Sequence, residues 1–497
     1  MASGKGIDWS SLYKKEDWWA LWLGLLIFFI GLLYIAGVNT FGWFPKIGIW
    51  VDPAVSVTPA SKDYAWLHPI LSYVILYVVT VVLLSIAVVA MKWNLKRFIA
   101  GYTFIYIITM ITYWFGHWAY IAETDPKKVE QLGFSLRMTG EAGLLFALLA
   151  GLIISNFFRG FANFLRDAAK PELYIKIAIV LLGAKLGIDV VRLPVGLLAN
   201  YVLRGVAAIV EAYLIYWGLA YIIARKWGLT REWAAPLASG ISICGVSAAI
   251  ATAAVIRARP HVPAVIASLV VVFAAVELVI LPFVAAIFLA HQPLVAGAWM
   301  GLAIKTDGAA AASGAIVDAL MVGWYPEYAP LKGWILNTTV LTKLFIDIFI
   351  GVWAFILAVV WVYWIERRPG EKVRKLEIWF RFPKFVLGFM ATMIILAAMT
   401  GAAIAAAGAD VAAQREAVKP YREAQSLIDD FRKFFFAMTF TSIGLITDFG
   451  TLKREGFGKI IAIYLILLFG VIIWIGFAIS WLFFHDVHHY LIKALAS

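Results

Sequence analysis

The sequence predicts an all-α polytopic membrane protein, and three observations carry that prediction. Hydrophobic residues make up 63% of the 497 and charged residues only 14%, at a mean hydropathy of +0.88, too few charges to cover a water-facing surface. Long apolar runs recur from one end of the chain to the other, as bilayer-crossing helices require. The basic residues gather in alternate loops between those runs. A transmembrane β-barrel is excluded, because its strands would alternate apolar and polar residues over short segments. The net charge of +12 therefore belongs to loops and is not the footprint of a nucleic-acid surface. The single cysteine, Cys244, permits no intramolecular disulfide, Cys-based zinc site or iron–sulfur cluster.

Taken in order, segments 17–38, 68–91, 97–121, 139–158, 201–224, 263–290, 335–364, 383–408 and 459–484 read as full spans. The first lacks a small-residue cleavage site and reads as a retained span. Segments 172–190, 236–256, 294–321 and 431–448 are shorter or interrupted by Gly, Ser, Thr and charge. Together they predict about thirteen transmembrane helices. Lys92, Lys96 and Arg97, then Arg159, Arg166 and Lys170, then Arg225, Lys226 and Arg231, the dense run Arg367–Lys384, and Lys453, Arg454 and Lys459 all fall on one side. That asymmetry places the protein in a cell (plasma or inner) membrane, N-terminus cytoplasmic and C-terminus extracytoplasmic.

Residues 1–135 hold three ordinary apolar spans, expected to serve packing or homo-oligomerisation through the N-terminal helices. The other ten spans divide into five-helix repeats, 136–290 and 291–497. An odd number per repeat inverts the second relative to the first. The fourth member of each is then an interrupted segment, 236–256 or 431–448, and such a pair points to a secondary transporter. The first runs through Pro236, Ser239, Gly240, Ser242, Cys244, Gly245 and Ser247, and the second through Thr439, Thr441, Ser442, Gly444, Thr447 and Asp448. Unwinding there would leave half-helix N-termini that attract an anion and freed carbonyls that attract a cation. Tight helix–helix packing uses the same small residues and is the competing explanation.

The run Ser239-Gly240-Ile-Ser242-Ile-Cys244-Gly245-Val-Ser247-Ala-Ala-Ile-Ala-Thr252 resembles the Gly-rich signature of a family of conserved hypothetical membrane proteins named as sulfate exporters. Leu181-Leu-Gly183-Ala-Lys185-Leu-Gly187, Thr342-Lys343-Leu344 and the span from Ala437 to Asp448 are similar to further elements in the same order. The resemblance covers about 136–484 and leaves the first three spans as an N-terminal extension. It implies anion export, sulfate or a related sulfur oxyanion, and kinship with inverted-repeat antiporters and bile-acid-type symporters. Where the family carries Gly-x-x-x-His-Asp, this chain reads Gly301-Leu-Ala-Ile-Lys305-Thr306-Asp307. A proton-handling histidine is thus not carried over, and a lysine stands in its place.

Ionisable groups inside spans are costly and mark function by default. They include Glu141, Lys176, Lys185, Arg204, Glu211, Glu277, Lys305, Asp307, Lys343 and Asp347. Lys343 and Asp347 are spaced for an internal salt bridge. Glu277 is expected to pair with Lys305 or Lys343 or to act as a coupling site, and Asp307 to neutralise Lys305 unless that lysine meets the anion. The substrate set is therefore Ser239, Gly240, Ser242, Cys244, Gly245, Ser247, Lys305, Thr306, Thr441, Ser442 and Gly444, with Glu277, Asp307, Lys343 and Asp347 as coupling or charge-pair candidates.

His485-Asp-Val-His488-His489 resembles one box of the membrane di-iron desaturases. Seven histidines in all are too few for that family's three boxes, so it reads as a polar terminus to the last helix. No P-loop, nucleotide fingerprint or Ser-His-Asp order appears. No enzymatic activity, catalytic residue, metal or cofactor is expected. The reading is a carrier whose partners are a small anionic solute and the lipid bilayer. Its first rival is a cation/proton antiporter or sodium-coupled symporter on the same architecture, and a membrane enzyme or sensor is the rival from another class.

Overall fold

Helices form wherever the apolar runs are long, because backbone within hydrocarbon must satisfy its polar groups internally. The structure, a computed structural model, describes residues 10–136, 138–140, 142–191, 195–243, 245–256, 258–259, 261–365, 383–408, 410–450 and 458–496. The chain divides into two units, residues 1–192 with 384–446 and residues 193–383 with 447–497. Each unit draws on both halves of the sequence.

Helix α1 (Glu16–Leu32) opens on Glu16 and Asp17, carboxylates that complement the positive end of the helix. A small antiparallel hairpin, β1 (Pro45–Ile47) and β2 (Val57–Pro59), follows it. Helix α2 (Pro69–Ala90) starts on a proline behind the His68 cap, and α3 (Leu95–Gly116) behind Asn94, whose side chain accepts from the Arg97 N–H. Helices α4 (Ala142–Phe157) and α5 (Pro171–Val190) complete this first passage. The second unit then begins with α6 (Val195–Lys226), α7 (Arg231–Ser242), α8 (Val246–Ile256) and α9 (His261–Phe288). It continues through α10 (Pro293–Ala303), α11 (Asp307–Trp324) and α12 (Trp334–Val360). Helices α13 (Lys384–Ala407) and α14 (Val411–Ile446) belong to the first unit. The second closes with α15 (Gly458–Phe484) and α16 (Val487–Ala496). Among the described residues six helices are long and apolar enough to cross a membrane, or seven if α4 is taken with the short helix Arg159–Leu165, bent from it by 119°.

In the first unit α5 is buried on nearly every side, against α1, α13 and α14. Its glycines set the approach of α13: a β-carbon at Gly183 would lie 2.2 Å from the Phe389 carbonyl oxygen, and one at Gly187 2.5 Å from that of Met393. The Leu181–Gly187 element thus has a packing cause. The N-terminal helices pack within this unit, with Gly24 against Val180 and Gly31 against Ile428. Helix α2 turns outward a row of apolar side chains at helical spacing, Ile70, Val74, Val78, Val82 and Ile86, as a lipid-facing helix does.

The break that the sequence predicts at 431–448 does not form. Helix α14 runs unbroken to Ile446, and its hydroxyls find partners within it: Thr439 donates to the Phe435 carbonyl and Thr441 to that of Ala437. Thr441 also shares a hydrogen bond with Thr109 of α3 at 2.7 Å. Gly444 lets α14 cross α4 closely, since a β-carbon there would sit 2.3 Å from the Leu148 carbonyl oxygen and 2.8 Å from Gly151 Cα.

Among the described residues of the second unit, the chain doubles back at two interruptions. Thr252 of α8 donates to the Ser239 hydroxyl of α7 at 2.7 Å across thirteen residues, which a straight helix would separate by roughly 20 Å. Thr339 of α12 donates to the Gly297 carbonyl of α10 at 2.7 Å, and a β-carbon at Gly314 of α11 would lie 2.5 Å from the same hydroxyl oxygen. Both arms therefore stand at one level of α12. Segments 236–256 and 294–321 are helical hairpins, with tips at 243–245 and 304–306, so neither crosses as a single span. The second break in this unit thus lies within 293–324, a segment that the sequence reads as a weak span.

Candidate functional site

The two hairpin tips meet at Lys343. From α12 its ammonium donates to the Ile243 carbonyl of the first tip at 2.9 Å and to the Ile304 and Lys305 carbonyls of the second at 3.3 Å each. The carbonyls at the C-terminal ends of α7 and α10 lack helical partners and carry the negative end of each dipole. One buried cation answers both. Gly245 makes the approach feasible: its φ of +65° is left-handed backbone, and a β-carbon there would lie 2.3 Å from Val270 Cγ1 and 2.9 Å from the Lys305 carbonyl oxygen. Glycine is the residue without that obstacle.

The charge pairing differs from the expectation. Lys343, not Lys305, faces Asp307, at 3.9 Å. Lys305 points elsewhere: its ammonium donates to the Leu302 carbonyl and lies 4.6 Å from the centroid of the Tyr216 ring, within cation–π range. The displaced acid has a local cause, because Asp307 opens α11 while Thr306 caps it by accepting from the Ala309 N–H at 3.2 Å. Glu277 of α9 is 1% exposed, and neither carboxylate oxygen has a hydrogen-bond partner. The expected direct ion pair to a lysine is thus not made, although Lys305, Lys343 and Tyr464 are its electrostatic neighbours.

Of the predicted substrate residues, Ser239 binds the first hairpin together, accepting from Thr252 and from the Trp217 indole at 2.9 Å. Gly240 lies against the Gly245 carbonyl. Ser242, one residue before the tip, is buried with an unpartnered hydroxyl. Gly245, Lys305 and Thr306 lie at the tips themselves. Thr441, Ser442 and Gly444 are on α14 in the other unit. Cys244 and Glu141, and the side chains of Ser247, Glu211 and Asp347, are outside the described residues. Lys176 is explained by an ion pair, 2.7 Å from Asp17 and 3.5 Å from Glu172. Arg204 donates to the Phe483 carbonyl at 2.9 Å.

Sequence reasoning missed Tyr216 and Asn337. Tyr216 is an aromatic in an aromatic-rich span and gave no signal. Asn337, buried on α12 with neither amide atom hydrogen-bonded, could have been found as an amide inside an apolar run.

Fold and hairpins together define a polytopic all-α membrane protein with buried charge at the junction of two interrupted helices. The model of the family described as conserved hypothetical protein 698 matches residues 100–463. A UPF0324 membrane protein of Nitrosomonas europaea is 41% identical over 488 residues, covering 96% of each chain. Another of Rhodopirellula baltica is 30% identical over 72% of this chain and 58% of its own, and an uncharacterized protein of Archaeoglobus fulgidus is 57% identical over 36% of this chain and its whole length. The chain belongs to this family of conserved membrane proteins. No solved structure matches it.

Proposed function

We propose that the chain is a secondary transporter of a small anion, sulfate or a related sulfur oxyanion, working by alternating access around the two hairpin tips. The observation that carries this reading is Lys343. Its ammonium occupies the carbonyls that a sodium ion would otherwise take. The positive end of α8, which starts at the first tip, remains to face an anion, while that of α11 already carries Asp307. Lys305 places a second buried amine at the second tip.

Inverted repeats are also supported, with a permuted element order. Helices α4, α5, α6, the first hairpin and α9 match α13, α14, α15, the second hairpin and α12. Under that match α5 packs on α13 as α14 packs on α4, α6 on α7 as α15 on α10, and α9 on α11 as α12 on α8. The halves keep the boundary near 290, while the second begins with its hairpin. The first hairpin then opens to the cytoplasm and the second to the outside. In a Cys244→Ser background, cysteines at Lys226 and Arg259 are expected to label from the same, cytoplasmic side, and cysteines at His291 and Glu327 from the other. Straight spans would put 226 and 259 on opposite sides, and that outcome would remove the hairpin topology.

The transport reading is tested by thermal stabilisation of purified protein across inorganic and sulfonate anions, with and without sodium. A ligand at a hundred times its Kd adds about 2.7 kcal/mol to stability. Stabilisation by an oxyanion without sodium is expected. Stabilisation by sodium or protons alone would favour the cation antiporter, which Glu277 and Asp307 could serve as ligands.

A further inference from the structure

The His-rich stretch that closes α15 takes no part in the hairpin site, yet it is built as a cluster. Asp486, with a left-handed φ of 58°, turns the chain from α15 into α16. Ligand atoms of Asp486, His488 and His489 lie within 4.8 Å of one another. One Asp486 oxygen is 3.9 Å from His489 Nε2, and the other is 3.1 Å from His485 Nδ1. Gln292 holds the carboxylate, donating to Asp486 Oδ1 at 2.8 Å and accepting from the Asp486 N–H at 3.0 Å. His488 is 1% exposed, and its Nδ1 has no hydrogen-bond partner. A buried polar nitrogen left unsatisfied is costly and calls for an occupant.

We infer that Asp486, His488 and His489 bind one divalent transition-metal ion of the zinc type, with His485 as the available fourth ligand. Imidazole nitrogens with one carboxylate suit Zn²⁺ and its neighbours, whereas Mg²⁺ and Ca²⁺ require oxygen shells. Around zinc, ligands at about 2.0–2.1 Å stand roughly 3.4 Å apart, so the present spacing needs only small side-chain movements. Asp486 and His489 are exposed enough to make them, at 49% and 68% side-chain exposure. The Gln292 hydrogen bonds do what outer-shell partners do at metal sites, fixing the carboxylate's orientation. Gln292 immediately precedes α10, so the bound ion would tie the C-terminal segment to the outer end of the second hairpin. The site stands independently of the transported solute.

The test uses the full chain, stripped with a chelator and titrated with Zn²⁺ against a chromophoric competitor. One ion per chain, at submicromolar affinity and unaffected by excess Mg²⁺ or Ca²⁺, is expected. Asp486→Asn and His489→Ala should each weaken binding at least tenfold, and His68→Ala should leave it unchanged. Co²⁺ should give the intense visible bands of a four-coordinate site. His488→Ala removes a buried ring and can disturb folding, so the two exposed positions decide the matter, with the metal-free melting temperature as the control. Absence of stoichiometric binding, or binding indifferent to both exposed substitutions, would overturn the assignment.

Discussion

Replacing Lys343 by methionine is expected to lower the melting temperature of the purified protein by about 10 °C and to abolish transport. Methionine retains the length and apolar stem but removes the ammonium. Three carbonyls from two hairpin tips then lose their donor, and Asp307 loses the cation 3.9 Å away. Stranding one member of a buried charged pair costs about 3–5 kcal/mol, and each kcal/mol moves the midpoint by roughly 2–4 °C in a unit of this size. The double change Lys343→Met/Asp307→Asn separates the parts. If the pair is real, the second substitution should add less than it costs alone, because the charge that faced Lys343 is gone. The carbonyls stay unanswered, so rescue should be partial. Strict additivity would mean that Lys343 and Asp307 do not interact. Lys305→Ala/Asp307→Ala should show no such coupling, since Lys305 is directed to the Leu302 carbonyl and the Tyr216 ring.

The membrane class and the helical architecture were legible because they rest on composition and on runs of apolar residues, which no tertiary contact overrides. The interruption at Ser239–Ser247 was legible because glycine, serine and proline crowd together there more densely than a continuous apolar helix needs. The break expected at 431–448 was misjudged because Thr439, Thr441, Ser442 and Gly444 carry a similar composition for another purpose. In α14 hydroxyls bond to the preceding turn, and the glycine admits α4. The second hairpin's break contains no serine cluster, only Ile304, Lys305 and Thr306 between glycine-containing arms. A hairpin and a straight pair of half-helices also have the same local sequence. Only contacts such as Thr252 to Ser239 distinguish them, and those depend on the tertiary fold. The structure pairs Asp307 with Lys343 and leaves Glu277 without a direct ion pair, whereas the sequence offered Lys305 for Asp307 and either lysine for Glu277. Helical spacing constrains neighbours on one helix but says nothing of which helix lies opposite.

Glu277 gives the second large effect. Stabilisation by an oxyanion is expected to grow as the pH falls in the wild-type protein and to become nearly pH-independent in Glu277→Gln. Around the tips stand two lysines, Lys305 and Lys343 of α12, and two carboxylates, Asp307 of α11 and Glu277 of α9, so their charges balance when all are ionised. A proton added at Glu277 leaves one positive charge in a buried setting, which is what an arriving anion requires. The groups acting on Glu277 from the helices around it are Lys305 at the second tip, Lys343 on α12 and the Tyr464 hydroxyl on α15. Glutamine copies the protonated carboxyl in shape and charge, so the variant should bind the anion at neutral pH as the wild type does at low pH. If anion transport is coupled to protons through this carboxyl, the variant should also lose that coupling, having no proton to release. Lys305→Ala should abolish anion stabilisation at every pH, because the cation itself is missing. A Glu277→Gln protein that kept the full pH dependence would place the titrating group elsewhere. One that lost sodium-dependent rather than anion-dependent stabilisation would identify Glu277 as a cation ligand and turn the reading to the antiporter.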